Sequence, residues 1–230
     1  MSLNLLMLGP PGAGKGTQAE RCARNHGIPR ISTGDILREA VHDGTDIGLQ
    51  AKAVMDRGEL VGDDVMIKIV RERLGRADAA GGFVLDGFPR TVAQAAALDG
   101  IMSGRDPLIV VDIVVPEDEL VRRLSSRMIC EDCGANAPMA HGSTCAQCGG
   151  RLVQRPDDSD SVVLDRLKVY HDQSEPLVEY YRVRPTFRSI NGAQAPDQVA
   201  ADLAAAIAAA GARAAGTPGL GSTARSGVQP

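Results

Sequence analysis

Four groups of residues in this chain combine type and spacing in ways that could do chemistry. The first is Gly9-Pro10-Pro11-Gly12-Ala13-Gly14-Lys15-Gly16-Thr17, placed directly after the apolar run Leu5 to Leu8. Glycines at 9, 12 and 14 let successive backbone N–H groups turn inward, and a helix begun here aims its positive dipole end at the same point. Lys15 adds a full positive charge, so the stretch reads as a phosphate cradle. It follows G-x-x-x-x-G-K-[ST] through Lys15 and then inserts Gly16 before the hydroxyl of Thr17.

The second group is Asp86-Gly87-Phe88-Pro89-Arg90, at the end of the buried-strand pattern Gly82 to Leu85. An aspartate at the carboxyl end of a parallel strand faces the ligand crevice, where a Walker-B acid meets Mg2+, and Arg90 can reach the same crevice. The third is Cys130-x-x-Cys133 with Cys145-x-x-Cys148. Four soft thiolates in two such turns form a closed tetrahedral site with no position for water, so the metal is expected to be structural, not catalytic. The fourth is a set of arginines. Arg38 is expected in the first turn of a helix, where a cation opposes the dipole and is better explained by an anion to be bound. Arg123 and Arg127 are spaced i,i+4 on one expected helix face, a placement that dipole compensation near a C-terminus also explains.

These groups need elements to hold them. A crossover helix through Ala19, Cys22, Ala23 and His26 follows the glycine loop and stops at Gly27. Cys22 reads as a buried apolar-face residue and His26 as a helix-end residue. Ile28 to Ile31 is a short strand, and Ser32 to Asp35 cap a helix carrying Ile36, Ala40 and Val41. A second helix runs from about Ile47 to Arg57, and Asp63 caps a third with a stripe of Val65, Met66, Ile69, Val70 and Leu74. Leu108 to Val115 is a further strand, and Pro116 opens a helix with acids in its first turn. Gln154-Arg155-Pro156-Asp157-Asp158 leaves the cysteine segment, and a helix bearing Arg166 follows. Tyr180 and Tyr181 read as packing residues, and His141 as a loop residue. Thr186 to Ile190 is the last strand and Val199 to Ala210 an alanine-rich helix. From Gly211 the composition predicts a disordered tail.

At 230 residues the chain suits one large domain with inserted subdomains. A net charge of -4 and a pI of about 5.6 give no sign of a basic nucleic-acid binder. No secretory or membrane segment stands out, so a cytoplasmic protein is expected.

The Gly-Lys-Gly-Thr ending at Gly14 to Thr17, Asp86 to Arg90, and a cysteine insertion leaving through Gln154 to Asp158 together resemble the adenylate kinase family, of the bacterial kind with a zinc-bearing lid. The resemblance covers roughly Met1 to Ala210 and implies a three-layer α/β P-loop kinase fold on a central parallel five-stranded sheet. It implies a core of residues 1–31, 62–125 and 159–210, an AMP-binding lobe of 32–61, a zinc lid of 126–158, and a tail of 211–230. It further implies that Gly12, Ala13, Gly14, Lys15, Gly16, Thr17, Arg127 and Gln194 hold ATP. Thr33, Arg38, Glu59, Leu60, Val61, Gly87, Phe88, Pro89, Arg90 and Gln94 would line the AMP side, Gln94 reading the adenine edge and Pro89 following a cis bond. Arg90, Arg123, Arg155 and Arg166 would close over the transferring phosphoryl group with Lys15 and Asp86, with Arg155 and Arg166 also reaching AMP. Cys130, Cys133, Cys145 and Cys148 would bind Zn2+.

The implied activity is Mg2+-dependent transfer, ATP + AMP = 2 ADP, for adenine nucleotide homeostasis, by a monomer that needs no nucleic acid or membrane. The residue types suit it, since phosphoryl transfer calls for positioning and charge neutralisation, not for a general base. A UMP/CMP kinase is the near alternative, with Gln94 and Thr33 favouring AMP. A GTPase-like switch lacks its N-K-x-D element. A zinc-ribbon nucleotide- or nucleic-acid-binding module without catalysis is opposed by Glu131, Asp132 and Asp157 and by the lack of aromatics in the ribbon.

Overall fold

The computed structural model describes residues 2–138, 143–155, 158 and 160–215. The apolar runs become β1 (Leu3–Leu8), β2 (Arg30–Ser32), β3 (Gly82–Asp86), β4 (Leu108–Val114) and, last in the chain, Phe187–Asn191. These five form one sheet in which every pairing is parallel, ordered β2-β3-β1-β4 with Phe187–Asn191 at the far edge. A parallel sheet must be covered on both faces, which is why its strands are apolar throughout and do not alternate. Leu5, Met7, Val84, Val111 and Ile113 pack into one core cluster, and Leu6, Leu8, Phe83, Leu85 and Val110 into another on the opposite face. This is the three-layer P-loop kinase architecture that the family resemblance implied.

The helices are α1 (Lys15–His26), α2 (Thr33–His42), α3 (Asp46–Asp56), α4 (Asp63–Leu74), α5 (Val92–Met102) and α6 (Glu117–Ser125). A three-stranded antiparallel sheet follows, of β5 (Arg127–Cys130), β6 (Asn136–Pro138) and β7 (Leu152–Gln154), with β5 in the middle. Then come α7 (Asp160–Val169), a π-helical turn at Tyr170–Ser174, α8 (Pro176–Arg182), the sheet strand β8 (Phe187–Asn191) and α9 (Pro196–Ala215). Leu203 and Ala210 of α9 pack into the same cluster as Cys22 of α1, while Tyr181 is fully buried under the other face.

Four local expectations are corrected. Arg38 lies beyond the first turn of α2, because the helix already starts at Thr33 with Ser32 as its cap. Arg127 is not on the helix of Arg123, since α6 ends at Ser125 and Arg127 opens β5. The cap of α4 is Gly62, and the Asp63 carboxylate instead accepts from Thr91 Oγ1 at 2.9 Å and Gln94 Nε2 at 2.7 Å. Residues 211–215, expected in the tail, continue α9, whose run of alanines favours helix. Residues 216–230, like Met139, His141, Pro156 and Asp157, lie outside the described residues.

The pair α2 and α3 is held at close range by a glycine. A Cβ built on Gly48 would lie 1.9 Å from the Ala40 carbonyl oxygen and 2.6 Å from Val41 N, both backbone atoms that no rotamer change can move. Gly48→Ala should therefore force the two helices apart and cost about 1–3 kcal/mol. A urea midpoint equal to wild type at unchanged slope would contradict this packing.

Candidate active site

Two parallel strands end side by side at the site. The register Met7↔Asp86 brings the loop after β1 next to the loop after β3, and Ser32↔Asp86 brings the start of α2 there as well. Thr33 Oγ1 accordingly donates to the Gly87 carbonyl at 2.8 Å. The peptide bond between Phe88 and Pro89 is cis.

The glycine loop takes the shape its sequence calls for. Gly9, Gly12 and Gly14 have φ of 133°, 85° and 93°, a region in which other residues are strained. Gly14 is the N-cap of α1, which has no side-chain cap and no acid in its first turn. Its first N–H groups are thus left for an anion. Lys15 Nζ donates to the carbonyls of Gly9 and Pro10 at 2.7 and 2.8 Å, which folds the lysine over the loop. Burial pulls its pKa down to about 8; Asp86 opposes this, and Arg90, Arg166 and Arg127 add to it. Gly192, in the turn before Gln194, lies close enough for a Cβ to meet Ile113 Cγ2 at 2.4 Å and the Ala13 carbonyl at 3.3 Å, so that turn packs on the loop. Gln194 itself donates to Asp202 at 2.7 Å and to the Asn191 carbonyl at 3.1 Å.

Two clefts meet here. The first, about 680 Å³ including space open to solvent, is floored by Gly9, Pro11 and Lys15 and walled by Pro89, Tyr170 and Leu177. The second, about 600 Å³, is lined by Thr33, Arg38, Glu59, Val61, Met66 and Gln94. Gly58, Leu60, Gly87, Arg90 and Arg166 line both. Arg166 reaches this wall across Gly58, where a Cβ would come within 2.8 Å of its Cγ. Gln94, 1 % exposed, accepts from Arg90 N at 2.8 Å through Oε1 and donates to Asp63 through Nε2. Phe88 is instead buried in the core beneath the site.

The remaining predicted arginines stand further out. Arg123 is bound to Glu119 at 2.7 Å, and Arg155 is buried at the exit of β7; neither is among the residues lining these two clefts. Arg127 and Arg166 converge on Asp158, a fully buried carboxylate that accepts from Arg127 at 2.7 Å twice and from Arg166 at 2.6 Å. Sequence reasoning gave Asp158 no role of its own. The spacing of one acid to two distant arginines carries no local signal.

The four cysteines also converge. Their Sγ atoms all lie within 4.8 Å of one another, with Cys130 to Cys148 at 3.4 Å and Cys133 to Cys145 at 3.6 Å. Tetrahedral thiolates on one Zn2+ at about 2.3 Å stand at about this spacing. Leu152, Met128 and Ala137 pack beside the buried Cys130 and Cys145.

The adenylate kinase family model matches residues 7–186. The chain is 50 % identical over 197 residues to an adenylate kinase of Archaeoglobus fulgidus, covering 83 % of this chain and 91 % of that one. It is 50 % identical over 208 residues to an adenylate kinase of Geobacillus sp. (strain WCH70), covering 87 % and 96 %. It is 44 % identical over 214 residues to one of Rhizobium etli, covering 89 % and 99 %.

A lysine in this loop can hold an anion only while it is protonated. With its pKa lowered to about 8, affinity for inorganic tripolyphosphate should fall as pH rises through that value, and the fall should vanish in Lys15→Met. Titration calorimetry from about pH 7 to about pH 9 checks it; a flat wild-type profile would contradict the buried lysine.

Proposed function

The chain belongs to the adenylate kinase family, and from that premise we propose how its residues carry out reversible Mg2+-dependent phosphoryl transfer, ATP + AMP = 2 ADP. The observation that carries the assignment is the wall of Arg90 and Arg166 shared by two clefts. One cleft has a phosphate loop and the other has none, so a donor and an acceptor can meet across two cations.

ATP phosphates lie on Gly12, Ala13, Gly14, Lys15, Gly16 and Thr17, with Arg127 and the turn at Gln194 framing the nucleotide. AMP takes the second cleft, against Thr33, Arg38, Glu59, Leu60, Val61, Gly87 and Pro89, while Phe88 supports that loop from the core. Gln94 keeps one N–H and one lone pair beyond its bonds to Asp63 and Arg90, enough to read an adenine edge. Arg90 and Arg166 neutralise the equatorial oxygens of the transferring group, and Lys15 those of the donor. Arg123 and Arg155 join them when residues 126–158 close as a lid. Closure excludes water, which would otherwise take the phosphoryl group.

Asp86, at the end of β3 beside Lys15, fits a hydrated Mg2+ carried by the nucleotide: it is a single carboxylate whose Oδ1 accepts no hydrogen bond among the described residues. The ion supplies charge neutralisation on the phosphates. The four thiolates fit Zn2+, which gives the lid an interior that its few apolar residues do not. Residues 1–31, 62–125 and 159–210 act as the core, and residues 32–61 close over AMP. Both clefts are built from a single chain, in keeping with a monomer. No helix among the described residues is long and apolar enough to cross a membrane; we place the enzyme in the cytoplasm with its nucleotides.

ADP formation from ATP with AMP, UMP and CMP offered in turn tests the assignment. AMP should be the preferred acceptor, and Gln94→Leu should raise KM for AMP roughly 5- to 100-fold over any change for ATP, the equivalent of about 1–3 kcal/mol. A preference for UMP, or equal rises for both substrates, would overturn it.

Replacing Cys145 and Cys148 with serine should release one metal ion per chain and lower the unfolding midpoint, while nucleotide binding by the core persists. Elemental analysis without metal in reduced wild-type protein would refute the site. Abolished turnover in a folded, metal-free variant would refute its purely structural role.

A further inference from the structure

Beside the phosphate loop stands a cation to which the transfer reaction assigns no part. Arg30 begins β2, and its long side chain runs along the strand towards Asp86, the partner of Ser32 in register. Arg30 Nη2 donates to Asp86 Oδ2 at 3.0 Å, and Nη1 stands 2.8 Å from Asp35 Oδ2; the side chain is 21 % exposed and that of Asp86 10 %. The pair rests against the loop. A Cβ on Gly16 would lie 3.3 Å from Arg30 Nη2 and 3.4 Å from Asp86 Oδ2. Gly16, the residue that separates Lys15 from Thr17, thus leaves room for the ion pair at the loop itself.

A guanidinium does not lose its proton, so the acid proposed to face the metal is permanently charge-compensated on one oxygen. A divalent ion approaching the other oxygen meets this fixed cation, bound to the same carboxylate, and the charge of Lys15, in a half-buried site where water screens them poorly. Asp35 and, at 4.0 Å, Glu20 also face Arg30, but Asp35 is shared with Arg38, so the acids Asp86, Asp35 and Glu20 are matched by Arg30, Arg38 and Lys15, and no net negative charge is left to draw in a bare ion. Nucleotide phosphates supply it. Mg2+ keeps most of its waters and is held by one or two carboxylates together with substrate phosphates, which matches a carboxylate presenting a single oxygen.

We propose that Arg30 is a positioning residue for the metal: it fixes Asp86 through Oδ2 and, by its charge, denies the site to free divalent cations, so that the ion enters only with the nucleotide. The inference rests on the assignment of Asp86 made above. Its consequence is that metal and nucleotide bind as one unit.

Mn2+ serves as the probe, read by electron paramagnetic resonance on the full chain, without turnover. In nucleotide-free protein, Arg30→Gln should raise Mn2+ affinity about tenfold or more. Arg30→Lys should restore the wild-type value, and the double variant with Asp86→Asn should abolish the gain. An unchanged affinity in Arg30→Gln, or a gain as large in Arg30→Lys, would overturn the proposal. So would a nucleotide-free wild type that binds Mn2+ at a site lost in Asp86→Asn, a measurement that needs no substitution at Arg30. The parent assignment is tested apart, in ADP-saturated protein. If Asp86→Asn leaves Mn2+ affinity of that complex unchanged, Asp86 is not the metal-side acid and both readings fall. If it weakens the complex while Arg30→Gln alters nothing, only the Arg30 inference falls.

Discussion

The parallel pairing of β1 with β3, in the register Met7↔Asp86, is the constraint on which the rest of the site depends. Parallel strands deliver their carboxyl ends to one edge of the sheet, so the loop leading to Lys15 and the loop running from Asp86 to Arg90 leave as neighbours. A one-residue slip would turn every apolar side chain of β1 to the wrong face, and both faces are packed. The energy of the core therefore fixes the separation of the charged groups. β2 adds to the same edge through Ser32↔Asp86, and with it come Thr33 and Arg30.

Around this edge the arginines are held by carboxylates. Arg30 meets Asp86 and Asp35, Arg38 meets Asp35, Arg123 meets Glu119, and Arg127 and Arg166 meet Asp158. Burial works to raise the Asp35 carboxyl, but Arg38 and Arg30 together hold it at about 2. A cation in a half-dry cleft without such a partner would carry a desolvation cost that nothing repaid. A partner that is an exchangeable oxygen anion is also a stand-in for phosphate, so an arginine can pass from acid to substrate at small net cost. Asp158 is the strongest case, being fully buried under two guanidinium groups from β5 and α7.

The two insertions have different internal supports. α2 and α3 pack helix on helix, with Gly48 permitting backbone contact and Leu37 and Ala51 joining the main core. The segment between α6 and α7 has a small cluster of its own, Cys130, Cys145 and Leu152 with a few partly buried neighbours. So little apolar burial does not hold three short strands, and the thiolate cluster stands where a core would be.

Much of this was legible in the chain because its signals are local. Gly9 to Thr17 requires positive φ at three glycines and an uncapped helix start, and consecutive residues state both. The strands read as unbroken apolar runs because both faces are buried, and the paired Cys-x-x-Cys turns hold their ligands within a few residues of each other. Tertiary structure decided what depends on distance along the chain. Asp63 looked like a helix cap and instead bonds Thr91 and Gln94, because α4 and α5 pack together. Arg127 looked like a helix-face partner of Arg123 until β5 carried it to Asp158, and Phe88 sat within a site motif yet filled the core. Arg30 gave no signal at all. An ion pair between residues 30 and 86 exists only once β2 lies against β3, since charge has no periodicity to read, whereas backbone conformation and burial do.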